Sequence, residues 1–442
     1  MLGKSPDKNQ MNLFRGTLKE FINPQHPLVI LADKISWGKL EKEFSGYYSD
    51  TGQPSKPIRL MAGLLILKQM YNLGDETIMP DWVRDPYFQY FCGESEFQWT
   101  FPCDPSDLVH FRKRIGKEGV EKILALSVRM QSKKDLRKRE VIIDSTVQEK
   151  NITFPTDVKL YRKIVERCNK IAGNENVILR QSYTRTIKQL MLKQRFAHHP
   201  KRKKEARKAM LKMRTIAGRI TRDLERKLPE EVLARYQEEM RLFHRVLQQR
   251  RHNNNKIYSL HEPDTSCIAK GKAHKQYEFG SKVSFAMLPE SNIIVGAVSF
   301  KGNPHDSQTL EATLDHCTKI TGKTFDNAIV DRGYKGKKMI GNTRIISPGS
   351  PVGNSDYLKR KMRKKCRSRA GIEPVIGHIK SDCRMGRNYL KGIVGDEINA
   401  ILAAAAFNFR RLLRIIEQDI ILALMRWWTL LQYKPDPVPT KY

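Results

Sequence analysis

Three acidic residues, Asp144, Asp331 and Glu373, have the types and settings that could do chemistry. Asp144 ends the apolar run Val141-Ile142-Ile143, and Asp331 ends a second run, Ala328-Ile329-Val330. Both runs read as strands. Glu373 lies near an expected helix start, between Arg369 and Lys380. Carboxylates at two strand ends and one helix start can converge on a point. Three convergent carboxylates are hard oxygen ligands for Mg²⁺ or Mn²⁺. Two such ions, about 3.5–4 Å apart, can share a phosphate oxygen, one activating the attacking oxygen and one stabilising the leaving one. Lys380 falls seven residues after Glu373, on the same helix face, and Arg369 four before it. Each can hold a phosphate. Singly, each acid has an ordinary explanation. Asp is a common turn residue after a strand, and Glu in a first helical turn is favoured by the helix dipole. Their joint occurrence is what points to a site.

The charge balance supplies the substrate class. The 442 residues carry 81 Lys+Arg against 47 Asp+Glu, a formal net charge of +34. Nucleic acid is the default partner at this excess, because each neutralised phosphate releases condensed counterions. A metal site in such a chain is suited to a phosphodiester. An anionic membrane is the weaker alternative, since the cations are spread over several segments and not gathered on one amphipathic helix. Seven cysteines, an odd number with no CxxC, support neither a disulfide framework nor a zinc knuckle. The N-terminus has no signal-peptide pattern. The apolar stretch Ile415–Leu431 carries Glu417, Asp419 and Arg426, so it reads as a packed helix. The expectation is a cytoplasmic, nucleoid-associated protein.

The elements that must position the acids are readable as patterns. Residues 57–71 predict a buried helix, Trp82–Phe91 a second, and a third follows Asp104-Pro105-Ser106 with Ser106 as its N-cap. Leu108, Phe111 and Ile115 give that third helix an apolar face, leaving His110, Arg112, Lys113, Arg114 and Lys117 outside. A basic third helix suits DNA binding, through Arg112 and Arg114. Residues 141–146 form the first strand. From Lys159 to Lys256 there are 28 Lys and Arg against 9 Asp and Glu. Helices are expected over 160–171 and 177–196. Apolar steps of three and four over 206–228, and again over 232–247, predict a helical hairpin broken at Pro229. Lys201-Arg202-Lys203-Lys204 is the densest charge run and faces phosphates in this reading. Strands resume at 282–288 and 293–300 around a turn-rich loop. A helix over 308–320, strands at 327–330 and 344–347, and a basic loop over 359–369 follow. Helical structure then runs from Glu373 onward, with a break around 392–395. The order describes an α/β core with a mixed sheet, split by a helical insertion.

The quoted residues also carry a family resemblance. Val141-Ile142-Ile143-Asp144-Ser145-Thr146, then Gly302-Asn303-Pro304-His305-Asp306-Ser307, then Val330-Asp331-Arg332-Gly333-Tyr334, and finally Arg369-x3-Glu373-x6-Lys380 resemble a bacterial insertion-sequence transposase of the DDE type. Ile268–His274 and Tyr277–Lys282 fit the same group, and residues 55–115 are similar to the helical N-terminal part of its InsH-like, insertion-sequence-five branch. The likeness covers roughly residues 45–412. The group's signature has a tyrosine where this chain has Cys366. The resemblance implies a ribonuclease H-like mixed-sheet catalytic core, two Mg²⁺ or Mn²⁺ ions at Asp144, Asp331 and Glu373, and cleavage and joining of transposon ends. It implies double-stranded DNA partners, both terminal inverted repeats and target, and a homodimer or higher oligomer on DNA. DNA contacts are expected from Arg369, Lys380 and Arg332, while His305 either contacts DNA near the metal or shapes its loop. The expected domains are an N-terminal segment (1–45) and an all-α DNA-binding domain (46–130). The core (137–147 and 277–412) is interrupted by a basic helical insertion (148–276), and a C-terminal helix and tail (413–442) follow. The rivals are a ribonuclease H-like nuclease without joining activity and a catalytically silent DNA-binding relative.

Overall fold

The structure is a computed structural model that describes residues 16–432 apart from 50, 251, 270, 272–274, 335, 337 and 349–354. Lys270, Lys272, Ala273 and His274, part of the segment that carries the resemblance, lie outside the described residues. So do residues 1–15 of the expected N-terminal segment and 433–442 of the tail. The chain forms two compact units. One comprises Met1–Glu149, Lys282–Phe300 and Pro304–Tyr442, and the other Lys150–Ser281 with Lys301–Asn303.

The first unit begins with helices. These are α1 (Leu18–Phe21), α2 (Pro27–Lys34), α3 (Trp37–Ser45), α4 (Ile58–Met70), α5 (Ile78–Arg84), α6 (Pro86–Cys92), α7 (Pro105–Arg129) and α8 (Lys133–Leu136). The helix expected over Trp82–Phe91 is two helices. Pro86 cannot continue α5, and the Asp85 carboxylate caps α6 by accepting the Tyr87 amide at 2.8 Å. The N-cap of α7 is Asp104, not Ser106. Pro105 occupies the first helical position, where its missing N–H costs nothing, and Asp104 accepts the Ser106 amide at 2.8 Å. The helix changes direction at Gly116 (φ 56°, ψ −157°), a conformation that needs glycine. Strand β1 (Glu140–Glu149) follows. It is longer than the expected 141–146, so Asp144 lies in mid-strand and does not end it.

The second unit holds α9 (Asp157–Asn174), α10 (Thr184–Gln194), α11 (Lys203–Lys227) and α12 (Glu230–Gln248). Its core is its own: Ile164, Cys168, Met213, Ala217, Leu224 and Phe243 are among its buried residues. The hairpin of α11 and α12 breaks at Pro229, as the apolar stripes predict. Helix α10 starts at Thr184, later than expected, because Tyr183 takes a left-handed φ of 56°. Strand β2 (Ser266–Ala269) pairs antiparallel with the first residues of β3 (Tyr277–Met287).

From Lys282 the chain is again in the first unit. It adds β4 (Ile294–Phe300), α13 (Asp306–Thr321), β5 (Asn327–Ile329), β6 (Met339–Ile340), β7 (Thr343–Ile346), α14 (Asp356–Ser368), α15 (Ile372–Asp382) and α16 (Gly392–Gln432). Its sheet runs β3-β1-β5-β7-β6, with β4 on the other side of β3. Pairs β1–β5 and β5–β7 are parallel, whereas β3–β4 and β6–β7 are antiparallel. The expected basic loop over 359–369 is a helix, and the break before α16 lies at 383–391. The N-terminal helices have no core of their own. Leu64, Phe111 and Leu124 belong to one buried cluster with Phe285, Ala328, Ile379 and Phe409. Buried Asn408 of α16 pins this arrangement. Its side chain bonds both the amide and the carbonyl of Ile294 in β4, at 2.9 and 2.8 Å, and the Ser127 hydroxyl of α7 at 3.1 Å. Among the described residues no helix is long and apolar enough to cross a membrane.

Candidate active site

The register of the central strands brings two of the acids together. Glu140, Val141 and Ile142 pair with Asn327, Ala328 and Ile329. This pairing ends two residues short of Asp144 and Asp331, and the two acids come near enough for the charge of Asp331 to act on Asp144. Asp144 is largely buried, and its Oδ1 accepts the Ser145 amide at 2.8 Å. Burial, together with the charges of Asp331 and Glu373, pushes its carboxyl up to about 6. Asp331 Oδ1 accepts the Gly333 amide at 2.8 Å. A Cβ at Gly333 would lie 3.0 Å from Asp331 Oδ1 and 3.3 Å from Asp306 Oδ2, so glycine keeps these two carboxylates close.

Glu373 occupies the first turn of α15, as expected, with a largely exposed side chain. It reaches Asp144 through Arg369. The guanidinium stands 3.5 Å from Asp144 Oδ2 and 3.2 Å from Glu373 Oε1, a cation between two carboxylates. In this arrangement no three acidic, His or Cys side chains among the described residues are close enough to hold one ion. Asp144 and Asp331 are adjacent, and Glu373 waits behind Arg369.

A fourth carboxylate, Asp306, belongs to the same cluster. Its Oδ1 accepts the Ser145 hydroxyl at 2.7 Å and the Lys282 ammonium at 3.0 Å. Lys282 is itself buried and also donates to the Pro304 carbonyl at 2.7 Å. Burial acts to raise the Asp306 carboxyl, but the Ser145 and Lys282 bonds outweigh it and hold the group low. The Tyr334 side chain is fully buried beside Asp144 and Asp306, which with its burial pushes the phenol up. The sequence reading singled out the Gly302–Ser307 motif but assigned a role only to His305. The overlooked signal was an Asp at the first position of a helix, with a lysine inside a hydrophobic strand.

The other expected contacts separate. His305 is exposed and caps α13, its Nδ1 accepting the Ser307 amide at 3.3 Å. Arg332 is exposed directly after Asp331, and Lys380 is half-buried in the last turn of α15. Arg112 is a correction. It is 4% exposed and bonded by both nitrogens to Asp75, at 2.8 and 2.6 Å, so it supports the helical core and does not face solvent. Lys68 shares that carboxylate at 2.6 Å, and burial pushes its ammonium down to about 8. Arg114 is exposed and stacks 4.6 Å over the Tyr48 ring. In the second unit Lys201, Arg202, Lys203 and Lys204 are all exposed. Cys366, at the signature's tyrosine position, is half-buried and turned toward the core with Met362.

Residues 16–114 match the family model described as "Transposase domain (DUF772)", and residues 257–409 match the "Transposase DDE domain". A curated relative, "Uncharacterized protein ORF8 in nfe locus" of Rhizobium meliloti, is 39% identical over 198 residues, which is 44% of this chain and 96% of that protein. No solved structure matches the chain. Two transposase domains in the order the motifs require, and a near-complete match to that relative, lead to one conclusion: this chain belongs to the insertion-sequence DDE transposases.

Proposed function

We propose that the protein cleaves the ends of its own element and joins them to target DNA, on a ribonuclease H-like core, by in-line displacement at a phosphodiester. The observation that carries this reading is the pairing of β1 with β5, which leads to Asp144 and Asp331, with Glu373 linked to Asp144 through Arg369. The donor set is all carboxylate, which suits Mg²⁺ or Mn²⁺. Burial, and after it the charges of Asp331 and Glu373, raise Asp144, and a divalent cation would favour the ionised form against both. Asp144, Asp331 and Glu373 would hold two such ions, which when bound supply an ionised attacking oxygen and neutralise the leaving one.

The remaining roles belong to this chain's own groups. Arg369 keeps the Asp144 and Glu373 carboxylates from repelling each other and, with Lys380, offers positive charge to the phosphate of the strand being cut. Asp306 acts as a positioning residue. It fixes the Ser145 hydroxyl, and the Ser145 amide in turn orients Asp144. Lys282 offsets the extra negative charge this adds. Arg332 and His305 lie at the rim, where they can meet the DNA backbone. The N-terminal helices, with Arg114 outward, read the element's ends, and Lys201–Lys204 hold backbone phosphates without regard to sequence. Two ends joined in one event call for at least a dimer on DNA. The test is to incubate the protein with Mg²⁺ and end DNA, with and without a target plasmid, and to map the products. Cleaved ends and joined molecules are expected. Cleavage with no joined product would leave a nuclease.

A further inference from the structure

Helix α14 is unusual in having no buried residue. Its sequence, DYLKRKMRKKCRS, carries seven Lys and Arg against one Asp. Met362 and Cys366, with Arg369 just beyond, form its inward face at steps of four and three, and the two apolar side chains rest against the core. On the opposite side Arg360, Arg363, Lys364 and Arg367 form a stripe at steps of three, one and three. All four are exposed and make no ion pair among the described residues. Like charges three and four residues apart repel along a helix. Lys359 pairs with Asp356 and Lys365 with Glu140, but the four stripe residues have no acidic partner among the described residues, so their charge is left to be neutralised from outside. Tyr357, 70% exposed, stands one turn before the stripe and adds an aromatic face.

The place of this helix gives the charge a purpose. Residues 356–382 are helical almost without interruption: α14, a 3-10 turn at Arg369–Gly371, then α15. Arg369 and Glu373 of the candidate site are its immediate continuation. Arg369 and Glu373 continue the inward face, so a polyanion lying on the stripe is held on the flank of the site, across the helix from the acids. The ligand's chemistry is also constrained. From Tyr357 to Ser368 there is no Asn, Gln, Asp or Glu, the groups that read adenine or cytosine edges. Arginines and lysines grip phosphates in any sequence, and among the bases they read only guanine, so the stripe has no means of reading a mixed sequence. We infer that the outer face of α14 is a DNA cradle that grips the backbone of target DNA on the flank of the acidic site. This rests on the transposase reading above, which by itself assigns the helix nothing.

The test is the full-length variant Arg360→Gln, Arg363→Gln, Lys364→Gln and Arg367→Gln. Glutamine keeps high helix propensity and removes the repulsion, and circular dichroism checks the fold. Binding to a random duplex without metal is measured across salt concentrations, alongside Mg²⁺-dependent end cleavage and transfer into a plasmid. The salt slope should become shallower by about 0.9 for each phosphate that the variant no longer neutralises. Transfer should fall roughly tenfold or more, with end cleavage unchanged. An unchanged slope and unchanged transfer would show that the stripe is merely solvated. Cleavage and transfer falling in equal proportion would show that the helix serves the end being cut, which overturns the assignment to target DNA. The binding arm needs no catalysis, so it judges the cradle even if the wild-type protein cuts nothing.

Discussion

At the scale of single residues, the candidate site is a set of carboxylates crowded more closely than their charges favour. Asp144 shows the consequence, with a carboxyl raised from 3.8 to about 6, first by burial. Its folded form binds a proton that the unfolded chain has released. Stability in the metal-free protein therefore falls as pH rises from about 4 to about 6, and the penalty is complete above that. Asp144→Asn should raise metal-free stability near pH 7.5 by roughly 2–3 kcal/mol, with the gain gone by pH 4. Denaturant unfolding at the two pH values checks both the sign and the window. Asp306 carries a second prediction. Asp306→Asn removes the charge that Lys282 balances and weakens the hold on Ser145. End cleavage should drop by roughly a factor of 100, as for other groups that fix reacting geometry, while gel-shift affinity for end DNA stays the same. The acids stood out in the sequence because apolar runs lead into Asp144 and Asp331, although β1 continues past Asp144. Asp306 was not, since its partners Ser145 and Lys282 are 161 and 24 residues away and only the folded sheet unites them.

At the scale of elements, helices with an apolar stripe were readable and those without one were not. Helices α11 and α12 appeared where steps of three and four predicted them, because each buries its stripe in the core of the second unit. Helix α14 offers no such stripe, and its run of cations reads as a loop. Arg112 failed for the reverse reason. Helical spacing put it on the polar side of α7, but Asp75, 37 residues earlier, supplies a buried counter-charge. Strand β1 ran past Asp144 because Thr146, Val147 and Gln148 are buried as well. The exposed run Lys201–Lys204 gives the prediction at this scale. Changing all four to Gln should weaken binding to end DNA and random DNA alike and reduce the salt slope by up to about 3.6. Fluorescence anisotropy against salt measures it, and an unchanged slope would assign the run to solvent.

At the scale of the whole molecule, the N-terminal helices and the mixed sheet of the first unit share one hydrophobic cluster. The sequence suggested a separable DNA-binding domain, because periodicity shows that a helix has an apolar face but not what covers it. Here the cover for α7 includes α16, more than 260 residues further along the chain. A fragment of residues 46–130 should therefore show no cooperative thermal transition, whereas the full chain should. End recognition by these helices is then best measured with Arg114→Ala in the intact protein. Asp144, Asp331 and Glu373 are the groups proposed to make this basic protein a DNA-cutting enzyme. The most direct measurement is end cleavage by purified Asp331→Asn, which keeps side-chain size and hydrogen bonding but removes the charge that would hold a divalent ion. This variant should bind end DNA as the wild type does and yield neither cleaved nor joined product in Mg²⁺. Cleavage at the wild-type rate would make the acids structural and contradict the account.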